Sequence, residues 1–245
     1  MRVAACGIPL ASLPGMGFLL GILAVTAVGL LAWWSWYGGS HGPLDLVVRA
    51  IRHGRRDRDV VALTFDDGPD PLRTPALLDA LAELDVKATF FLVGADVDRN
   101  QALVQRIARE GHELGNHTYT HRYLPLARST KVLKELEATD RAIVAATGVT
   151  PALARPPYGG RRPSTVRAFA RAAKRLVLWD VNSFDWKGKP AREVADRVLE
   201  RTRGGSIILM HEARDGGEET VAAVRLLVPE LRAKGYQLVT VSATI

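Results

Sequence analysis

The chain has 245 residues, 47% hydrophobic and 24% charged, enough for one sizeable domain with an appendage. Its one cysteine, Cys6, excludes an intrachain disulfide and a cysteine-based zinc site, but not a location outside the cytoplasm. The net charge of +7 suits an anionic partner such as nucleic acid, lipid or wall polymer, and equally a solvated basic surface.

From Met16 to Tyr37 no side chain is charged, and Leu, Ala, Val, Gly and Ile dominate. As a helix this stretch would be about 33 Å long at roughly 1.5 Å per residue, enough for a bilayer core. Trp33, Trp34, Trp36 and Tyr37 gather at its end, as an interfacial aromatic belt would. No small-x-small cleavage site follows, so an uncleaved single-pass anchor is expected over 1–41, with a cleaved signal peptide as the alternative. Arg2 precedes the span, while Arg49, Arg52, Arg55, Arg56 and Arg58 follow it. That count alone would keep the main domain in the cytoplasm. Residues 42–58, rich in Gly, His and Arg, read as a basic linker, and 59–245 as the main domain.

Beyond the linker, strand and helix patterns alternate. Strands are expected at Val60–Phe65, Ala88–Val93, Glu113–Asn116, Leu153–Arg155, Leu176–Val181, Ser206–Met210 and Gln237–Val241. Helices are expected at Thr74–Leu84, Gln101–Glu110, Ser129–Thr147, Pro163–Lys174, Ala191–Arg203 and Glu218–Lys234. Pro75 in a first turn and Gly111, Gly148, Gly204 and Gly235 after last turns punctuate them. Such alternation implies a parallel sheet with crossover helices. About seven strands suggest a distorted or incomplete (β/α) barrel, with an open doubly wound sheet as runner-up.

In parallel α/β folds chemistry gathers at the carboxyl ends of strands. There the sequence places Asp66 and Asp67, then His117 and His121, Arg155 with Tyr158, Asp180 and Asp185 with Trp186, and His211. His117 and His121 lie four apart, so both rings can face one side of a helical turn or tight loop and chelate a divalent metal. Two histidines and a carboxylate leave positions open for water and substrate. Taken singly, each feature has a plainer reading: a surface His pair, an Asp-Asp-Gly-Pro turn, a core histidine.

The ordered set Thr64-Phe65-Asp66-Asp67-Gly68-Pro69, His117-Thr118-Tyr119-Thr120-His121, Arg155-Pro156-Pro157-Tyr158-Gly159, Asp185-Trp186 and Leu209-Met210-His211 resembles the polysaccharide deacetylase family. This family has the NodB homology domain (carbohydrate esterase family 4) and includes the chitooligosaccharide deacetylases. The resemblance covers about Val60 to Val241. It implies a distorted (β/α) barrel that removes N-acetyl groups from a GlcNAc-containing polysaccharide, such as peptidoglycan or a chitin-like glycan. It further implies Asp67, His117 and His121 as ligands of a divalent metal, Zn2+ first, Co2+ or Ni2+ as substitutes. Asp66 is implied as general base, Arg155 as the cation that holds it, and His211 as general acid. Asp185 is implied beside His211, the Tyr158 N–H as an oxyanion donor, and Trp186 and Leu209 as walls of an acetyl-methyl pocket. Many relatives carry Asp where this chain has Asn182, which bears on substrate preference or local charge.

These implications favour the envelope side of the cytoplasmic membrane over the arginine count. They also carry an acetylated-glycan substrate, no nucleic-acid partner and a monomer. Alternatives that keep the chemistry are an O-acetyl esterase and a deformylase or deacetylase of a lipid-linked sugar. A glycan-binding relative without catalysis and a non-haem iron oxygenase are rivals of other classes.

Overall fold

A computed structural model of the chain describes residues 16–37, 50–212 and 217–245. It falls into two compact units, Met1–Pro43 and Leu44–Ile245. In the first, α1 (Met16–Tyr37) covers the uncharged stretch. Its side chains are described over 20–30, where all are exposed. Among the described residues no helix is long and apolar enough to cross a membrane.

The second unit is a curled parallel α/β fold. Its strands are β1 (Val60–Gly68), β2 (Thr89–Leu92), β3 (Glu113–Asn116), β4 (Leu153–Ala154), β5 (Arg175–Leu176), β6 (Val181–Asn182), β7 (Ile207–His211) and β8 (Gln237–Leu238). They line up as β5-β4-β3-β2-β1-β7-β6, and β8 pairs with the start of β1. Every ladder is parallel. The helices that follow the strands are α2 (Thr74–Glu83), α3 (Gly94–Arg99), α4 (Gln101–Arg109), α5 (Ser129–Thr147), α6 (Pro163–Arg171), α7 (Ala191–Arg201), α8 (Gly217–Ala233) and α9 (Val241–Thr244).

The two-residue period of β1 sorts its side chains between two cores. Val61, Leu63 and Phe65 pack outward with Leu77, Leu81, Phe90, Ile107, Val198 and Leu227. Ala62 packs with Phe91, Leu153, Val177 and Ile207 in a smaller inner cluster. Thr64 and Asp66 share the Ala62 face, so the same alternation that builds the core delivers polar groups to the interior.

Four points differ from the sequence expectations. Leu176–Val181 is not one strand: β5 and β6 stand at opposite ends of the row. Between them Leu178 N–H bonds to the Ile51 carbonyl at 2.7 Å, and the Asp180 carboxylate takes Arg56, Ser206 Oγ and Ile207 N–H. An apolar run looks continuous in sequence, but partners outside the ladder draw this one away from it. The last strand stops at Leu238, and Val241 opens α9. A helix not expected, α3, fills Gly94–Arg99. Part of the basic stretch 42–58 also rests on the barrel, where Ile51 bridges Val177, and Gly54 N–H bonds to Gly205 O at 2.7 Å.

Candidate active site

β1 ends with two carboxylates that a regular strand would send to opposite faces. Its register with β2 shifts between Asp66 and Gly68, and Asp67 has φ 73. This bulge is what returns Asp67 to the same cavity as Asp66. The segment after β3 is an irregular loop rather than a helical turn, with Thr118 at φ 67 and His121 at φ 50. It still brings the rings of His117 and His121 to 5.0 Å between centroids.

Asp67 Oδ1 lies 3.4 Å from His117 Nε2 and 2.9 Å from His121 Nε2. The ligand atoms of these three residues all fall within 4.8 Å of one another. His117 Nδ1 donates to the Arg155 carbonyl at 2.8 Å, since a carbonyl can only accept. That bond fixes the ring's orientation and turns its Nε2 edge toward Asp67. Burial pushes the Asp67 carboxyl up, but hydrogen bonds and charge from both imidazoles outweigh it and hold the group well below the carboxylate range. Two imidazole nitrogens and an ionised carboxylate, converging with fixed orientation, fit a divalent cation such as zinc.

Arg155 is fully buried and reaches across the barrel interior. Its Nη1 donates to Thr64 Oγ1 at 2.8 Å and Asp66 Oδ1 at 2.6 Å, and Nη2 to the Leu178 carbonyl at 2.9 Å. The guanidinium also lies 4.1 Å from the centre of the Phe91 ring. Burial lowers its pKa and Asp66 partly restores it. The 2.6 Å contact is a charge-assisted bond that leaves Asp66 Oδ2 on the His117 side, 3.7 Å from Nε2.

On the other flank of β1, His211 of β7 is the register partner of Asp66. Its Nδ1 lies 2.9 Å from Asp185 Oδ1, and its backbone N–H donates to Asp185 Oδ2 at 2.7 Å. Asp185 is completely buried and also accepts from Ser183 Oγ and Thr220 Oγ1. Burial would lower the His211 pKa; the Asp185 hydrogen bond and charge, with Asp66 and Asp67 beyond, raise it above the ordinary value. Asp185 is correspondingly held low against its own burial.

A cavity of about 350 Å³ is lined by Asp66, Asp67, His117, His121, Tyr158, Trp186, Leu209 and His211, joined by Trp179 and Asn182. Arg155 and Asp185 stand behind its wall. Tyr158, at φ 60, is 61% exposed at the rim with its ring edge-on to His121. Trp186 is 38% exposed, whereas Leu209 is buried.

Sequence patterns alone assigned no role to Thr64, Trp179, Glu135 or Glu212. Thr64 was legible as the residue one alternation before Asp66. Glu135 was legible as an acid on the apolar face of α5, beside Leu136. Trp179 carried no signal, because it enters the cavity from the irregular segment between β5 and β6.

The polysaccharide deacetylase family model matches residues 53–177. A peptidoglycan-N-acetylglucosamine deacetylase of Bacillus cereus is 37% identical over 188 residues, 76% of this chain and 68% of that protein. A chitooligosaccharide deacetylase of Rhizobium leguminosarum bv. phaseoli is 38% identical over 196 residues, 73% of this chain and 86% of that protein. Among solved structures, the Bc1960 peptidoglycan N-acetylglucosamine deacetylase superposes with a TM-score of 0.80 at 34% identity, covering 84% of this chain and 97% of that one. With the carboxylate, histidine and arginine motifs set around one cavity on a parallel barrel, this chain belongs to the polysaccharide deacetylase family.

Proposed function

We propose that the chain de-N-acetylates GlcNAc units of an envelope glycan of the peptidoglycan or chitin-like kind, with each cavity residue in a separate role. The observation that carries the reading is the division of labour between adjacent carboxylates. Asp67 faces the two histidines, while Asp66 is clamped from behind by Arg155. Asp67, His117 and His121 would hold the cation, Zn2+ first and Co2+ or Ni2+ as substitutes. When bound, it supplies Lewis-acid polarisation of the acetyl carbonyl and acidifies the attacking water.

Asp66 takes the proton of that water as it attacks the acetyl carbon. Arg155 keeps the carboxylate oriented through the reaction. The Tyr158 backbone N–H is the candidate donor to the developing oxyanion. His211, whose protonated form Asp185 favours, gives its proton to the sugar nitrogen as the C–N bond breaks, leaving a free amine and acetate. Trp186 and Leu209 give the acetyl methyl an apolar wall, which favours a small acyl group.

The test is an acetate-release screen of the 44–245 unit on peptidoglycan, chitooligosaccharides and acetylated xylan, with and without a chelator. Zinc-dependent acetate release with new amines supports the reading. Release from xylan alone would make the chain an O-acetyl esterase.

The same reading places the catalytic unit outside the cytoplasmic membrane, as a monomer tethered through the N-terminal region 1–41. Its support is the uncharged stretch with an aromatic end, joined to a wall-glycan chemistry. A reporter fused after Ile245 should be active only on the envelope side; cytoplasmic activity would overturn the placement.

A further inference from the structure

Helix α5 carries an acid on its apolar face. Glu135 sits on the buried side with Val132, Leu136 and Thr139, and is itself only 4% exposed. A carboxylate in such a place is costly unless its oxygens are well bonded. Its Oε2 is bonded three times, by Tyr119 N–H at 3.1 Å, Thr120 N–H at 2.8 Å and Thr120 Oγ1 at 2.9 Å. Lys131, one turn earlier, reaches Oε1 at 3.3 Å.

Tyr119 and Thr120 are the middle of the loop whose ends are His117 and His121. Its Thr118 and Tyr119 carbonyls accept from Gly94 and Ala95 N–H at the start of α3, both at 3.0 Å, but the amides between the two histidines find no backbone partner among the described residues. Thr118 and His121 both sit in the left-handed region, which side chains with a Cβ disfavour. The amide hydrogens of Thr118, Tyr119 and Thr120 each go to a side-chain oxygen: Asn116 Oδ1 at 2.9 Å for Thr118, and Glu135 for the other two. Asn116 is tied in turn to α5, donating from Nδ2 to the Leu136 carbonyl and Asp140 Oδ1, both at 2.8 Å. So α3 holds the loop's carbonyls while α5 gathers its amides, and Glu135 is the central contact on the α5 side.

We propose that Glu135 is a positioning residue of the metal centre. By gathering the Tyr119 and Thr120 amides onto one oxygen, it sets the separation and aim of His117 and His121, and thereby the affinity for the cation. The inference rests on the metal reading of Asp67, His117 and His121 given above. It assigns Glu135 no contact with substrate or metal.

The test is Zn2+ affinity of the full chain, by competition with a chromophoric chelator, alongside the unfolding midpoint of the metal-free protein. Glu135→Ala should weaken Zn2+ binding about 10–100-fold, the size seen when outer partners of metal ligands are removed. Glu135→Gln, whose amide oxygen can take the same two N–H groups, should stay within about threefold of wild type. A lower midpoint for Glu135→Ala with unchanged Zn2+ affinity would mean a purely structural role and overturn the inference. If Glu135→Ala does not fold, Glu135→Asp withdraws the carboxylate by one methylene and faces the same criterion. Failure of the wild-type chain to bind Zn2+ overturns the metal reading as well; tight wild-type binding with an unaffected variant overturns this inference alone.

Discussion

Glu212 offers a stability experiment whose size follows from the structure. It directly follows His211 and is buried, with Oε2 accepting from Thr74 Oγ1 at 2.5 Å. Its Oε1 lies against the Gly68 backbone, so close that a Cβ on Gly68 would fall 1.4 Å from it. Burial, reinforced by Asp70, Asp67 and Asp66, pushes the carboxyl up to about 8 from an ordinary 4.5, against the opposing Thr74 bond. The folded protein therefore keeps a proton here at pH 7 that the unfolded chain has released. A group raised on folding contributes stability that is whole below about pH 4.5 and is lost as pH climbs to about 8. Over that window the loss is on the order of 5 kcal/mol, at about 1.4 kcal/mol per pH unit. Glu212→Gln keeps the shape and removes the titration. Urea unfolding of the metal-free 44–245 unit should show the two proteins similar near pH 4.5. The variant should gain a few kcal/mol by pH 8, with unchanged m. Zinc at Asp67, His117 and His121 should shrink the gap, because a nearby cation favours the carboxylate. A wild-type-minus-variant difference that does not grow with pH would refute the argument from burial.

Asp185→Asn removes the charge that supports imidazolium at His211 and leaves burial unopposed, so the alkaline limb of kcat/KM should move to lower pH. An unmoved limb with lower activity would mean that Asp185 only orients the site. Arg155→Met strands the Asp66 carboxylate in the barrel interior and should cost about 3–5 kcal/mol in urea unfolding; a cost below about 1 kcal/mol would show the pair to be solvated. Asn182 lines the cavity with Oδ1 taken by Phe184 N–H at 3.0 Å, leaving its NH2 as a donor. Asn182→Asp keeps that bond and adds a charge beside Asp66 and Asp67, so kcat/KM should fall further on carboxylate-bearing glycan than on neutral chitooligosaccharide. Equal losses on both would remove Asn182 from substrate selection.

The sequence by itself carried the alternation of strands and helices, because burial periodicity and glycine stops are local properties of the chain. It carried the motif residues too, since a strand's carboxyl end can be read wherever an apolar run stops at polar groups. The division of work between Asp66 and Asp67 was a tertiary matter: it depends on a bulge at Asp67 and on an arginine 89 residues away. The break between β5 and β6 was equally hidden, because Val177, Leu178 and Trp179 look like strand until Ile51 and the barrel interior compete for them. Glu135 and Glu212 show the same limit. A buried carboxylate reads as a solvated acid in one dimension, and only the packed structure decides whether it grips two amides, as Glu135 does, or lies against a glycine backbone and holds a proton, as Glu212 does.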